Sequence, residues 1–299
     1  MLSRIDIEKE LGKQINIFPL NFKHFKENSI NLCVGRYAWS LKSGDIYFDP
    51  KREKFSLTQE KGFLPVAISK GESAIHRNGS RYYVALLPHS TTLIETKEVL
   101  AIGSRIGGTY HSKVGMVSQG LGHIGTMLGP NFSGNSLIAI HNISDDVITL
   151  NGGESFVSVV FHYLDTPVLE KNGTVPGHVD KMAELGIHLT TKEREELAAD
   201  WCGKIEAVRD KMLESEEYKI FRRKQVNKKL AQLKVYLTWK NTIKALLLLA
   251  IFIGGYIWSN KADAAAGTTR WMDLYINVFI SGFVITVVGT IITSFSKSK

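Results

Sequence analysis

Hydrophobic and polar positions follow three different rhythms along the chain. Up to about residue 164 the apolar residues come in short runs, among them "RYYVALLP" (81–88), "SLIAIHN" (136–142), "VITLNGG" (147–153) and "SFVSVVFHYL" (155–164). These runs mix β-branched and aromatic side chains and are bounded by turn residues, which predicts strands. Many short strands at regular spacing predict a mainly β fold, a barrel, jelly roll or sandwich, rather than a parallel α/β sheet. The stretch "TPVLEKNGTVPGHV" (166–179) reads as a connector. Beyond it the rhythm becomes helical. Thr190 or Thr191 caps a helix with glutamates in its first turn, and Leu197, Trp201, Ile205, Val208 and Met212 recur at helical spacing. The expected result is a helical neck whose apolar stripe is a packing face and, in an oligomer, a bundle seam.

The third rhythm is continuous apolarity. "ALLLLAIFIGGYIWSN" (245–260) carries no charge, and with Lys244 snorkelling the run extends back to Trp239, roughly 20 residues and enough to cross a bilayer. A second uncharged run of 23 residues covers 274–296. Trp239, Tyr256, Trp258, Trp271 and Tyr275 sit near the predicted ends, where interfacial aromatics belong. In the second run Gly282, Thr286, Gly289 and Thr293 share one face, while the first offers Gly254 and Gly255. Small residues on one face let membrane helices approach closely. The expected organisation is therefore a β domain at 1–168, a linker and helical neck at 169–238, and spans at 239–260 and 274–296.

Charge sharpens this picture. The chain of 299 residues has a net charge of +8, and residues 219–244 alone hold nine Lys/Arg and no Asp/Glu. The rest is nearly neutral. A basic run immediately before an apolar span reads as a juxtamembrane patch attracted to anionic lipid. With Lys297 and Lys299 after the second run and a balanced connector between the two, the positive-inside rule puts both termini in the cytoplasm of an inner-membrane protein. The N-terminus has no secretory pattern. Cys33 and Cys202 stand far apart, which suggests neither a disulfide framework nor a metal knuckle. No histidine spacing suggests a metal, and no cofactor is expected.

Several segments, taken in order, resemble the dCTP deaminase / dUTPase family, closer to the deaminase branch. They are "MLSRIDIEKEL" with "INIFPLNF", "SINLCVG" (29–35), "LLPHSTTLIETKEVLAI" (86–102), "YHSKVGM" (110–116), "LGPNFSG" (128–134) and "NISDDVITLNGGESFVSVVFHYL" (142–164). The resemblance covers residues 1 to about 165. It implies a dUTPase-like β-barrel that self-associates as a trimer, with nucleotide sites between subunits. It also implies a phosphate loop, here Thr109, Tyr110, His111, Ser112 and Lys113. The glycine-bearing stretch that follows adds Gly120, His123, Thr126 and Asn131 as nucleotide-binding candidates. Glycines there permit close backbone approach.

The departures fall on the chemistry. Where the resemblance implies a proton-handling glutamate the chain has Ala139, and where it implies a water-orienting aspartate it has Gly129. Neither can transfer a proton. His111, His123 and His141 read as packed or surface histidines, and Asp145 and Asp146 as turn residues. No catalytic residue is therefore expected. The resulting expectation is a non-enzymatic, nucleotide-sensing membrane effector, by architectural analogy one of bacterial anti-phage defence. An anionic nucleotide or a short or cyclic oligonucleotide, supplied by a nucleotidyltransferase or cyclase, would control membrane disruption by the hairpin. The alternatives are a membrane-anchored deoxynucleotide deaminase or dUTP diphosphatase with displaced catalytic residues, and a purely structural assembly module.

Overall fold

In a computed structural model, the alternating runs of the first 165 residues pair into antiparallel sheets. The structure describes residues 1–122, 125–169, 178–236, 239–267, 269–271, 273–274 and 278. Helix α1 (Arg4–Glu10) opens the chain, held by a capping box in which Ser3 and Asp6 satisfy each other's backbone N–H. Strands β1 (Ile15–Phe18), β2 (Ile30–Ser40), β3 (Gly44–Asp49), β4 (Lys54–Ser56), β5 (Leu64–Ile68), β6 (Ile75–Asn78), β7 (Arg81–Leu86), β8 (Ser90–Ile102) and β9 (Ile106–Ser112) follow. After the short helix α2 (Val114–Val117) come β10 (Leu121–Gly122), β11 (Met127–Leu128), β12 (Ser133–Asn142), β13 (Ile148–Asn151) and β14 (Ser155–Tyr163).

The principal sheet has eight strands in the order β10-β12-β8-β2-β14-β9-β11, with β1 also pairing β8. Two three-stranded sheets, β13-β7-β6 and β4-β3-β5, complete the body. The fold is mainly β, as the pattern predicts. Where β2 crosses β8 the register shifts between Val34 and Ala38. A Cβ on Gly35 would lie 2.5 Å from the Glu95 carbonyl oxygen, so only glycine fits that crossing. The core is aliphatic and aromatic, built from Ile15, Ile17, Leu32, Val34, Ile94, Leu100, Ile138 and Phe161, and it also takes in Met212 and Tyr218 from the helical part.

The helical segments are α3 (Val179–Glu184), α4 (Thr191–Leu197), α5 (Ile205–Glu214), α6 (Glu216–Tyr236) and α7 (Trp239–Ala266). The expected capping box is present, with Thr190 and Glu193 bonding each other's backbone. The apolar stripe, however, does not run along one continuous helix. Turns at 198–204 separate α4 from α5, and Ser215 separates α5 from α6. The stripe is covered by the chain's own β body. Leu197 packs with Trp39 and Leu93. Val208 and Cys202 pack with Val99 and Ala101. Trp201 meets Phe18 edge-on at 6.0 Å, and the Met212 sulfur accepts from the Ile17 N–H at 3.4 Å. Periodicity identifies a buried face but not what buries it.

The chain divides into two compact units, residues 1–222 and 223–299. In the second, α7 has 28 residues and contains Gly254 and Gly255. Among the described residues no helix is long and apolar enough to cross a membrane. Almost all of the run 274–296, including Gly282, Thr286, Gly289 and Thr293, lies outside the described residues, as do the side chains at 239–245.

Met212 is fully buried beneath β1. Met212→Ala is expected to lower the unfolding free energy of the full chain by about 2–5 kcal/mol in urea denaturation. A loss below about 0.5 kcal/mol would separate α5 from the core.

Candidate functional site

The site is built around β12 and the turn that leads into it. Residues 126–132 leave β11, pass Gly129 and Pro130, and reach Asn131, whose φ of +59° is tolerated by a short polar side chain. The Asn131 amide donates to the Val168 carbonyl at 2.8 Å, fixing the turn. Along β12 the faces alternate. Ile138 and Ile140 enter the main core, while Leu137 and Ala139 face a second apolar cluster.

That second cluster explains position 139. Ala139 pairs across the sheet with Leu93, which itself pairs with Trp39. Over this surface lie the fully buried Met182 of α3, then Ile187 and Leu197. The Trp39 indole N–H has no hydrogen-bond partner among the described residues, so apolar contact outweighs a penalty of about 1–3 kcal/mol there. A carboxylate at 139 would be inserted among methyl and ring carbons and lose its hydration.

Beside this roof is a cavity of about 510 Å³. The β body contributes Tyr110, Thr126, Gly129, Phe132 and Ser136 to its wall. The other wall comes from the helical segment, with His178, Asp180 and Lys181. Tyr110 is buried and its phenol shares a hydrogen bond with the Ser136 hydroxyl. Burial holds that phenol protonated far above the usual tyrosine range. The His178 ring stacks on Phe132 with centroids 6.2 Å apart and planes at 25°. Burial, reinforced by Lys181 and opposed by Asp180, lowers its imidazole below the ordinary histidine value. The cavity thus offers hydroxyls, a neutral imidazole, an aromatic face and one ammonium. That set suits a planar, anionic guest.

The sequence candidates divide around this cavity. Tyr110 and Thr126 line it. Thr109 and His111 instead bond each other at 2.9 Å. The Lys113 ammonium donates to the Ser155 carbonyl and hydroxyl at 2.9 and 2.6 Å, anchoring it to β14. Ser112 lines a separate small cleft with Met116 and Leu121. Gly120, at φ +88°, turns the chain against Ser144. Asn131 acts on the turn itself, and His123 lies outside the described residues. His141 bonds the Thr91 hydroxyl at 2.8 Å, and Asp145 pairs with His89 at 2.7 Å on an exposed turn.

His178, Asp180 and Lys181 escape sequence reasoning because they lie at the end of a connector, about 50 residues from the strand they face. Glu95 escapes it too, although a carboxylate inside the apolar run "LIETKEVL" is a signal of burial. It is 8% exposed on β8 opposite Leu137 and does not line the cavity. Burial pushes its pKa up to about 8, helped by the Glu196 carboxylate and opposed by Arg36. Glu196 is held nearby by the Tyr37 hydroxyl, which donates at 2.6 Å. Among the described residues no group of His, Cys, Asp and Glu could hold a metal ion.

No protein-family model matches the chain, and no curated protein matches it. Among solved structures it is similar to a 2'-deoxycytidine 5'-triphosphate deaminase from Agrobacterium tumefaciens, with a TM-score of 0.37 and 11% identity over 55% of this chain. The chain spans only 47% of that deaminase's length. It is also similar to the dUTPase of Staphylococcus bacteriophage 80alpha, crystallised with dUpNHpp, at a TM-score of 0.26 and 20% identity over 35% of this chain and 84% of that one. A third is the EIAV dUTPase, at 0.27 and 17% over 33% of this chain and 90% of that one. At such identity and overlap the likeness assigns no activity, ligand or assembly to this chain.

Two substitutions probe the site. Ala139→Glu is expected to cost a few kcal/mol of stability, on the order of a buried unpaired polar group, and to loosen 179–197 toward limited proteolysis. Wild-type stability in that variant would mean that the roof over β12 is not packed. Glu95→Gln addresses pH. A carboxyl whose folded pKa is raised stabilises the fold fully below its unfolded value near 4.5, and that contribution is lost as pH rises toward 8. The variant is therefore expected to gain on wild type between pH 5 and pH 8, by on the order of 1–4 kcal/mol in chemical unfolding. A pH-independent difference would place the Glu95 carboxyl in water.

Proposed function

We propose that this chain is a non-enzymatic, nucleotide-responsive membrane effector. The observation that carries the reading is the pairing of a sealed acid position with an open cavity. Ala139 is packed beneath Met182 and Ile187, while the polar cavity beside it remains accessible to a ligand. The ordered resemblance of residues 1–165 to nucleotide-metabolising enzymes supports a nucleotide as guest, and the missing acids at 129 and 139 support binding without turnover. Trimeric assembly with sites completed by a neighbour belongs to the same proposal.

The wall of the cavity formed by α3 is continuous in sequence with α4, α5 and α6, and so with the basic run 219–244 and the apolar runs after it. A guest that prefers one packing of α3 on β12 shifts the equilibrium of whatever follows it, by its difference in affinity for the two states. The two apolar runs act as a membrane hairpin at the inner membrane with both termini in the cytoplasm. Anti-phage defence is the biological setting that this architecture fits.

One observation favours a second reading. His178 and Asp180 share the cavity wall and form an acid/base candidate pair, displaced from the position the resemblance implies. In that case the protein is a membrane-anchored deoxynucleotide deaminase or dUTP diphosphatase.

The experiment combines turnover and leakage. Purified full-length protein is expected to leave dCTP and dUTP unchanged, and its expression with ligand supply altered is expected to leak dye or ions through the inner membrane. Gly289→Leu is expected to abolish leakage without releasing the protein from membranes, because a bulky side chain separates close-packed helices. Turnover abolished by His178→Ala would establish the second reading. Absence of leakage under every ligand condition would reduce the hairpin to an anchor.

A further inference from the structure

Three chain segments converge at one corner of the β body, and none of their residues lines the cavity. The first is a single 3₁₀ turn, Phe22–His24, whose start is capped by the Asn21 side chain accepting from the Lys23 N–H. The His24 ring nitrogen Nε2 lies 3.7 Å from the Cys33 sulfur. The second segment is on β8, where the Glu98 carboxylate accepts from the Cys33 N–H at 2.8 Å and Lys97 beside it is exposed. The third is Lys113. Its ammonium is fixed on Ser155, the residue paired with Cys33 across β2 and β14.

The result is a concentration of positive charge. Lys23 and Lys26 flank His24 and are exposed. Among the described residues none of Lys23, Lys26, Lys97 and Lys113 forms an ion pair. The carboxylate nearest to them, Glu98, is 4% exposed, and burial raises its pKa, so it offers little compensating charge. The effect is visible on His24. Burial first, and then Lys26, Lys113, Lys97 and Lys23 together, hold its imidazole below the ordinary value. Uncompensated like charge at one corner opposes folding, and an anion of matching charge relieves that repulsion.

We propose that this corner binds a phosphate-bearing anion through Lys23, Lys26, Lys97, Lys113 and the His24 imidazole. Several ammonium groups around one imidazole match a compact group with two or more negative charges and several acceptor oxygens. A free polyphosphate and an anionic lipid headgroup both present that chemistry. The inference goes beyond the cavity reading and does not depend on it.

The test uses full-length protein titrated with inorganic tripolyphosphate by calorimetry, and sedimented with phosphatidylcholine vesicles with or without phosphatidylglycerol. Lys26→Glu/Lys97→Glu reverses two exposed charges and is expected to weaken binding by about tenfold or more, while Lys70→Glu, exposed elsewhere, leaves it unchanged. An anion favours the charged imidazole, so affinity gains as pH falls from 8 to 6, and His24→Gln removes that part of the gain. Tripolyphosphate binding sensitive to the double variant identifies a soluble phosphate. If only phosphatidylglycerol vesicles discriminate wild type from the double variant, the headgroup is the source. Equal binding by both proteins in both arms, or a pH response unaltered in His24→Gln, would overturn the proposal.

Discussion

One apolar surface governs this structure: the face of β2, β8 and β12 that carries Trp39, Leu93, Leu137 and Ala139. It cannot be left to water, and the chain covers it with its own residues 179–197. The remaining features follow from that covering. Alanine at 139 leaves room for Met182. The same segment brings His178 and Lys181 to the cavity. The helical part must then bend at 198–204 so that α5 can reach β1. Burial of the stripe that begins at Leu197 is thus a property of a single chain, and a helix bundle is not required to explain it.

Ionisable groups near the site are separated by environment. Glu95 sits beneath α4 and is held protonated at neutral pH by burial and by the Glu196 carboxylate. Its neighbour on the same strand, Glu98, is spent on a backbone N–H. Both carboxyls serve packing and strand pairing rather than the cavity. Cys33 and Cys202 are likewise buried, with thiols pushed up to about 12 and about 11, chiefly by desolvation, and are therefore poor nucleophiles. The polar character of the cavity comes instead from Tyr110, Ser136 and His178, which bind without donating a strong base.

Local rules were the most legible in the sequence. The strands at 81–86, 133–142 and 155–163, the turn at 128–132 and the Thr190 capping box are readable because each depends on residues within a few positions. The candidate site was only half legible. Tyr110 and Thr126 belong to the strand and turn that carry the family resemblance. His178, Asp180 and Lys181 belong to a segment whose destination is set by long-range packing. Lys113 illustrates the reverse limit. Its charge suggests a ligand, but the structure commits its ammonium to Ser155. Glu95 and the lysine corner arise from strand register and the convergence of distant segments, which no window of sequence displays.

The central claim is that a guest in the cavity is felt by the segment that roofs β12. Hydrogen exchange of the full-length protein, followed by mass spectrometry across a panel of nucleoside triphosphates and cyclic dinucleotides, tests it most directly. The account predicts that at least one nucleotide changes exchange at 126–137 and at 178–197 together, because the two stretches form opposite walls of one cavity. A change confined to 126–137, with 178–197 exchanging as in the free protein, would contradict the coupling. So would a panel in which no nucleotide alters either stretch.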